Sequence, residues 1–430
     1  MADDVDVQGV RYEELAARYG TPLYVYDSAV LDAQFSQLRA ALDPRLDFFF
    51  SLKANPNVAI CARLAGLGAH AEVSSLTELL TARRAGVRPE NIIFLGPGKS
   101  AEELQACLAQ RIHAIVCESL GELRLIDSLA RAAGTIAPVA LRVNPNFSVK
   151  GSGLTMGGRP RQFGIDEDEL MRQNGLSSRY PGVRLMGVHV YMGTRILDPG
   201  VVADNSRRIF ELAERLSARL DFPLELVDVG GGLGVAYFDN EQDLDVDTLA
   251  GLLNPVLGEF RARHPGTRLV MELGRYLTAP SGIYVVRVRY LKSSLGQRFA
   301  VTDGGTHHHM AAVGIGSYVK RNFPIRLLGT ATGAAEPWQV TGPLCTPNDT
   351  LGKNVMLPPL RTGDLLGVLR SGAYGPTASP VQFLSHGYPA EVLVHDGRPY
   401  LVRERDRPED MMRRQHLPGA LRARPAVPVR

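Results

Sequence analysis

Lys53 closes the apolar run Phe48-Phe49-Phe50-Ser51-Leu52 and stands just before a sharp turn at Asn55-Pro56. Burial disfavours an ammonium, so a lysine delivered by such a strand tends toward a lowered pKa and suits Schiff-base chemistry with a carbonyl. The segment alone fits equally a strand-end lysine whose amine reaches water. Glu72, Arg142 with Asn144, Tyr191, Gly230-Gly231-Gly232 and Glu272 close similar apolar runs. If those runs are neighbouring strands, an amine, two carboxylates, a guanidinium, an aromatic face and a glycine cluster meet on one rim. The glycines let backbone N–H groups approach a phosphate, or else make a tight structural turn. Val235 stands where a dinucleotide fingerprint would place its third glycine, and no Gly-Lys-Ser/Thr ending marks a Walker loop.

The elements that must position these residues are legible from Thr21 onward, where short β-rich runs alternate with amphipathic segments. The runs are Leu46–Leu52, Ala69–Val73, Ile92–Leu95, Ala114–Cys117, Pro138–Val143, Arg184–Tyr191, Leu226–Val229 and Arg268–Leu273. Ser75–Ala85, Ala101–Gln110, Leu120–Ala133 and Ser206–Leu220 have the length of crossover helices. Eight such units in roughly 230 residues match a (β/α)8 barrel, with catalytic residues at the C-terminal strand ends. A doubly wound open sheet is the competing architecture.

After Leu277 the pattern changes to strand-like segments: Gly282–Leu291, Arg298–Thr302, Trp338–Thr341, Asp364–Leu369 and Ala390–His395. They predict a second, mostly antiparallel β domain, which Pro22–Tyr26 is placed to join. The expected division is a barrel over 28–277, a β domain from 1–27 with 278–416, and a mobile tail over 417–430.

With 430 residues, a net charge of +3, 45% apolar and 22% charged residues, the composition is that of a soluble globular protein. It argues against a nucleic-acid or polybasic membrane partner. The acidic start Met1-Ala2-Asp3-Asp4-Val5-Asp6 lacks a following apolar segment, so no signal peptide is expected. Cys61, Cys107, Cys117 and Cys345 are widely spaced and read as free thiols of a reducing cytoplasm.

Six motifs in order resemble one family: Ser51-Leu52-Lys53-Ala54-Asn55, Asp228-Val229-Gly230-Gly231-Gly232, Glu272-Leu273-Gly274-Arg275, Asp303-Gly304-Gly305, Gly342-Pro343-Leu344-Cys345 and Gly372-Ala373-Tyr374-Gly375. They are similar to those of the fold-type III pyridoxal-phosphate decarboxylases, the group containing diaminopimelate and ornithine decarboxylases. The resemblance runs from Thr21 to Met411. It implies pyridoxal 5'-phosphate as cofactor, an alanine-racemase-like barrel, a second β domain and a head-to-tail homodimer with shared active sites.

By the same resemblance, Lys53 is the lysine of the internal aldimine and Glu272 the partner of the pyridine nitrogen. Gly230, Gly231 and Gly232, with Gly274 and Arg275, correspond to the phosphate cradle, and Tyr374 adds a hydroxyl there. Glu72 corresponds to the acid behind the cofactor ring, and Arg142 and Thr194 belong to the cofactor site. Cys345 corresponds to the catalytic cysteine supplied by the second subunit. His189, Arg275, Thr346, Asp349 and Tyr374 fall on the substrate side. A carboxylate at Glu272 favours decarboxylation, whereas racemases of this fold place an arginine there. Cys345 or Lys53 could return a proton to the α-carbon. A racemase, or a non-catalytic pyridoxal-binding homologue, is the alternative; Glu272 and the long β domain after Leu277 count against the first, and the kept Lys53, glycines and Cys345 against the second.

Two departures bear on specificity. Tyr191 stands where the family places a ring-stacking histidine; it can still stack on a ring. His189, two residues earlier on the same strand face, either compensates or simply packs in the core. Thr346 follows Cys345 where diaminopimelate decarboxylases carry a glutamate that reads a distal ammonium, and Ser385-His386-Gly387 replaces their Ser-Arg-Pro. The expected substrate is therefore not meso-diaminopimelate.

The loop Asn144–Gly164, with Lys150, Arg159 and Arg161, resembles a secondary-metabolite and exopolysaccharide subgroup. One type in it decarboxylates a glutamyl group on an acyl-carrier protein. A basic loop suits an acidic carrier, and equally a solvated surface. His307-His308-His309 would alternate faces on a strand, so packing is expected there and no metal is assigned.

Overall fold

The computed structural model of the chain describes residues 6–148, 154–155, 157–313, 321–330 and 333–421. Eight parallel strands follow one another: Leu46–Ser51, His70–Val73, Ile92–Phe94, Ala114–Cys117, Ala137–Asn144, Val183–His189, Leu226–Asp228 and Arg268–Leu273. The eighth pairs with the first, Glu272 opposite Phe49, so the sheet closes into a barrel and is not an open doubly wound sheet. The sixth strand stops at His189 rather than Tyr191, and the seventh at Asp228. Single backbone bonds continue the ladders beyond both ends, from Val190 N to Asp228 O and from Val229 N to Val270 O.

The pleat explains what stands on the rim. Phe49, Ile93, Leu95, Ala114, Val116, Ala140, Met186, Leu226 and Val270 form one buried apolar cluster plugging the barrel interior. Side chains two residues further along a strand share its face. Counting two onward gives Ser51, Glu118, Arg142, Asp228 and Glu272. Lateral partners face the same way, which adds Glu72 beside Ser51 and His189 beside Asp228. A polar layer is thus stacked on an apolar plug by register alone.

Helices on the outside hold the strands in place. Those over Leu76–Arg84, Ala101–Gln110 and Leu120–Ala132 each begin with the pattern Ser-x-x-Glu. Ser75, Ser100 and Ser119 accept from the backbone N–H groups of Glu78, Glu103 and Glu122 respectively. Each cap contributes about 1 kcal/mol. The helix expected at Ser206 starts earlier, at Pro199, because Asp198 caps it and Pro199 has the fixed φ that suits a first helical residue.

The second sheet runs in the order Thr350–Leu357, Glu336–Thr341, Gln297–Thr302, Gly282–Ser294, Leu23–Asp27, Ala390–His395, Arg398–Arg403. Leu23–Asp27 lies antiparallel to Gly282–Ser294 and parallel to Ala390–His395, as the N-terminal run was expected to join. Thr350–Leu357 was not expected; Gly352 and Asn354, the latter at φ 50°, interrupt its alternation and its register shifts accordingly. The three histidines lie on a tight turn rather than a strand, with His308 N and His309 N both donating to Gly305 O. All three are buried, so the alternating-face argument does not apply. Of the expected tail, residues up to 421 include a turn at Gly419–Leu421; the remainder lies outside the described residues, as do Lys150, Gly151 and Gly153. Among the described residues no helix is long and apolar enough to cross a membrane.

Candidate active site

Lys53 sits in the 3-10 turn Leu52–Ala54 that ends the first barrel strand. Its Nζ lies 3.1 Å from Glu72 Oε2 and 5.6 Å from the centre of the Tyr191 ring. Glu72 is buried, and its other oxygen accepts from Ser74 Oγ at 2.9 Å. Burial alone would depress the amine's pKa, as the sequence suggested. The carboxylates of Glu72 and Glu272 outweigh it, and the net shift is upward. The amine is thereby favoured in its charged form beside Glu72, against the depressed pKa that burial alone predicts. Thr194 follows in the short strand Gly193–Thr194, and burial pushes the Tyr191 phenol up to about 12. It meets water and its neighbours as a neutral aromatic face.

Glu272 accepts or shares a proton with His189 Nε2 across 3.0 Å, in a site where the two residues are 2% and 0% exposed. Its second oxygen, Oε2, is buried with no partner. Burial pushes the Glu272 carboxyl up, but His189, with Lys53 and Arg142 behind it, pulls it below the usual carboxylate range. Asp228, which the sequence reading did not single out, lies beside them at 0% exposure. Its Oδ1 accepts from Gly230 N at 2.8 Å, while Oδ2 is unpartnered. Burial, then repulsion from Glu272, raises its pKa well above the ordinary range. Among the described residues these three form the one group of His, Cys or acidic side chains close enough to share an ion, with ligand atoms within 4.8 Å of one another.

Beside this layer the glycine backbone packs so closely on its neighbours that side chains have no room. A Cβ on Gly231 would lie 2.0 Å from Glu272 O, and one on Gly232 2.2 Å from Gly193 O. Gly230 and Gly232 are also left-handed, at φ 67° and 107°. Gly274 has the Ala54 methyl where its own Cβ would go. Arg275 donates to Tyr237 Oη at 3.0 Å and lies 4.6 Å from the centre of the Tyr374 ring. Tyr374 comes from the second domain, in a left-handed conformation at φ 55°, with its N–H on Ala54 O at 2.7 Å. Asn55 Nδ2 donates to Gly372 O at 3.0 Å, so the lysine turn and this tyrosine segment are tied together. Tyr237, stacked on Phe323 at 4.4 Å, was missed in sequence because nothing in its neighbourhood marks it as more than a loop aromatic.

Arg142 is buried on the rim, but its Nη1 donates to Glu118 Oε1 at 2.8 Å and its guanidinium covers Phe163. Glu118 also accepts from Gly96 N and Gly164 N, at 3.0 and 3.2 Å. This pair thus braces the end of the 144–164 loop against the barrel. Asn144 holds the loop's other stretch, accepting from Gly158 N at 2.9 Å and donating to Arg159 O.

Cys345 is exposed on the turn between Glu336–Thr341 and Thr350–Leu357. Asp349, buried, is taken up by scaffolding: Oδ1 accepts from Thr306 N and Oγ1 at 2.7 and 2.9 Å, and Oδ2 accepts from Leu344 N at 2.7 Å. Within one chain it anchors the cysteine turn. Thr346 is half-buried, its hydroxyl accepting from Asn348 N at 3.3 Å.

The donor set fits pyridoxal phosphate. A buried, unpartnered carboxylate oxygen on Glu272 suits a protonated ring nitrogen, the glycine turn with Arg275 suits a phosphate, and Lys53 suits the aldehyde.

Comparison with known proteins agrees. Residues 28–279 match the family model of the pyridoxal-dependent decarboxylases, pyridoxal binding domain. The chain belongs to this family, and it is a pyridoxal-phosphate-dependent amino-acid decarboxylase of the diaminopimelate and ornithine decarboxylase type. It is 39% identical over 406 residues to an L-glutamyl-[BtrI acyl-carrier protein] decarboxylase of Niallia circulans, covering 93% of this chain and 95% of the other. A diaminopimelate decarboxylase of Helicobacter pylori is 32% identical over 407 residues, with 94% and 97% covered. The crystal structure of a Helicobacter pylori diaminopimelate decarboxylase complexed with L-lysine superposes with a TM-score of 0.85 at 30% identity, over 94% of this chain and 98% of that one. Pyridoxal phosphate held by these residues would supply an electron sink for the decarboxylation.

Proposed function

We propose that this decarboxylase acts on a glutamyl group tethered to an acyl-carrier protein rather than on free meso-diaminopimelate. The observation that carries the reading is Thr346, a neutral, half-buried residue next to Cys345. A distal ammonium brought to this turn would find no carboxylate on that residue, and an unpaired buried charge costs several kcal/mol or forces rejection. The 39% identity to a decarboxylase named for a carrier-bound glutamyl substrate supports the same reading.

In this reading Lys53 carries the cofactor and Glu272 holds the ring nitrogen protonated. Gly230 to Gly232, Gly274, Arg275 and Tyr374 hold the phosphate, with Tyr191 against the ring. The exposed Cys345 completes the site of a partner subunit in a cytoplasmic homodimer, where it stands ready to deliver a proton to the α-carbon. The test is CO2 release from a glutamyl thioester on a carrier protein against free glutamate, meso-diaminopimelate, lysine, ornithine and arginine. The thioester is expected to lead meso-diaminopimelate by roughly 100-fold or more in kcat/KM. Equal or faster turnover of meso-diaminopimelate would overturn the assignment.

A further inference from the structure

Two carboxylates face one pocket at the ends of adjacent strands, and only one of them can serve a protonated ring nitrogen. Register puts His189 opposite Asp228 and Asp228 opposite Val270, with Glu272 two residues beyond Val270 on the same face. Three ionisable side chains are thereby forced into one buried layer, their polar atoms within 4.8 Å of one another. Two carboxylates that close, out of water, do not both ionise.

We propose that His189 is the positioning residue that selects Glu272, not Asp228, as the ionised carboxylate offered to the cofactor's ring nitrogen. The geometry is asymmetric in the required way. His189 Nε2 lies 3.0 Å from Glu272 Oε1, which turns Oε2 free and unpartnered. Asp228 has no such contact with the imidazole; its Oδ1 is spent on Gly230 N, at the start of the glycine turn. Lys53, Glu72 and Arg142 also face the layer, and Lys53 is already paired with Glu72. The opposite directions of the two acids' shifts, Glu272 down and Asp228 up, agree with this division. His189 therefore does for Glu272 what no residue does for Asp228.

The inference rests on the placement of the ring nitrogen at Glu272 proposed above. It is tested with holoenzyme reconstituted with pyridoxal phosphate isotopically labelled at the ring nitrogen, whose NMR shift reports protonation directly. Glu272→Gln is the control and is expected to move the signal toward the unprotonated position. His189→Leu should move it the same way and weaken cofactor binding roughly 10- to 100-fold, the worth of a hydrogen bond to a charged group. His189→Gln, which keeps an N–H donor at a similar reach, should restore part of both. Asp228→Asn should leave the signal in place, since that acid is already neutral.

If Glu272→Gln moves the signal and His189→Leu does not, the role of His189 is overturned while the cofactor placement stands. If Glu272→Gln itself has no effect, the placement fails. Should His189→Leu not fold, Asp228→Asn decides: a shift as large as that of Glu272→Gln would make Asp228 the ionised partner and overturn the inference.

Discussion

On the barrel rim, strand register fixes each charged group: Glu72, Arg142, His189, Asp228 and Glu272 sit one pleat above an apolar plug and are all buried. On the β domain, Cys345 rides an exposed turn that the side chain of Asp349 ties to the core. The rim is complete within one chain. The turn leaves its cysteine exposed. On the proposed reading, the cofactor end of the site is built from rigid, pre-organised strands, and the end assigned to substrate is built from a loop. Substitutions in the two regions should accordingly separate cofactor loss from turnover loss.

The largest effect is expected from Lys53→Ala, which removes the amine in the rim. The long-wavelength absorbance of a lysine-linked pyridoxal should vanish, and CO2 release should fall to background. An unchanged band in that variant would break the rim's half of the comparison. Cys345→Ala should leave the band intact and lower turnover by roughly 10² to 10⁴, the usual worth of a placed proton donor. Mixing the two variants sharpens the point. If each site draws Lys53 from one subunit and Cys345 from the other, half of a random dimer population has one native site. Roughly one quarter of wild-type activity should then return, as closed two-fold pairing requires. Failure to recover any activity in verified mixed dimers would remove the shared-site arrangement.

How much of this was legible in the sequence follows from which interactions are local. Strand alternation and Gly or Pro punctuation placed all eight barrel strands to within a residue or two, and the motifs named the lysine, the glycines and Glu272. Asp228 was passed over because Leu226-Val227-Asp228-Val229 reads as a strand running into a glycine turn. Only register with His189 and Glu272 makes that aspartate part of the site. The charge of Lys53 was misjudged for a similar reason. Burial is visible in one segment, but the Glu72 and Glu272 carboxylates that outweigh it come from other strands. The histidine triplet was read as a strand because its neighbours are strand-like. Gly304 and Gly305 instead turn the chain, a choice enforced by crowding: a Cβ on Gly304 would lie 2.0 Å from Tyr284 Oη.

A smaller effect is expected from Asp349→Ala. It leaves the buried N–H of Thr306 and the half-buried N–H of Leu344 without acceptors, at a cost of about 3 kcal/mol. The cofactor band should persist while Tm falls and KM rises, because the cysteine turn loosens and the rim does not. Asp349→Asn keeps one acceptor oxygen and should recover part of both. A variant with native Tm and raised KM would instead make Asp349 a direct substrate contact.

The smallest effect concerns acid, and it again separates the regions. Burial holds His307, His308 and His309 down at about 2, 3 and 3, with the His308 and His386 rings adding repulsion at His307. In the unfolded chain each titrates near about 6.5. Between those limits the unfolded state takes up protons that the folded state refuses. Their contribution is therefore fully present above about pH 6.5 and lost as pH falls toward about 3. The barrel holds a counterpart in His113, lowered to about 4 by burial and Arg268, so acid should weaken the β domain first. Trp338, the chain's one tryptophan, lies in that domain and reports it selectively, whereas far-ultraviolet circular dichroism reports both. The fluorescence transition should shift to lower temperature between about pH 7 and about pH 5 more than the dichroism transition does. His307→Phe keeps a ring against His308 and loses no hydrogen bond, since both ring nitrogens are unpartnered, and it should flatten the fluorescence pH slope by about one proton. An unchanged slope in that variant would mean that the folded β domain takes up a proton at His307 as readily as the unfolded chain does, and the acid contrast between the two regions would then rest on other groups.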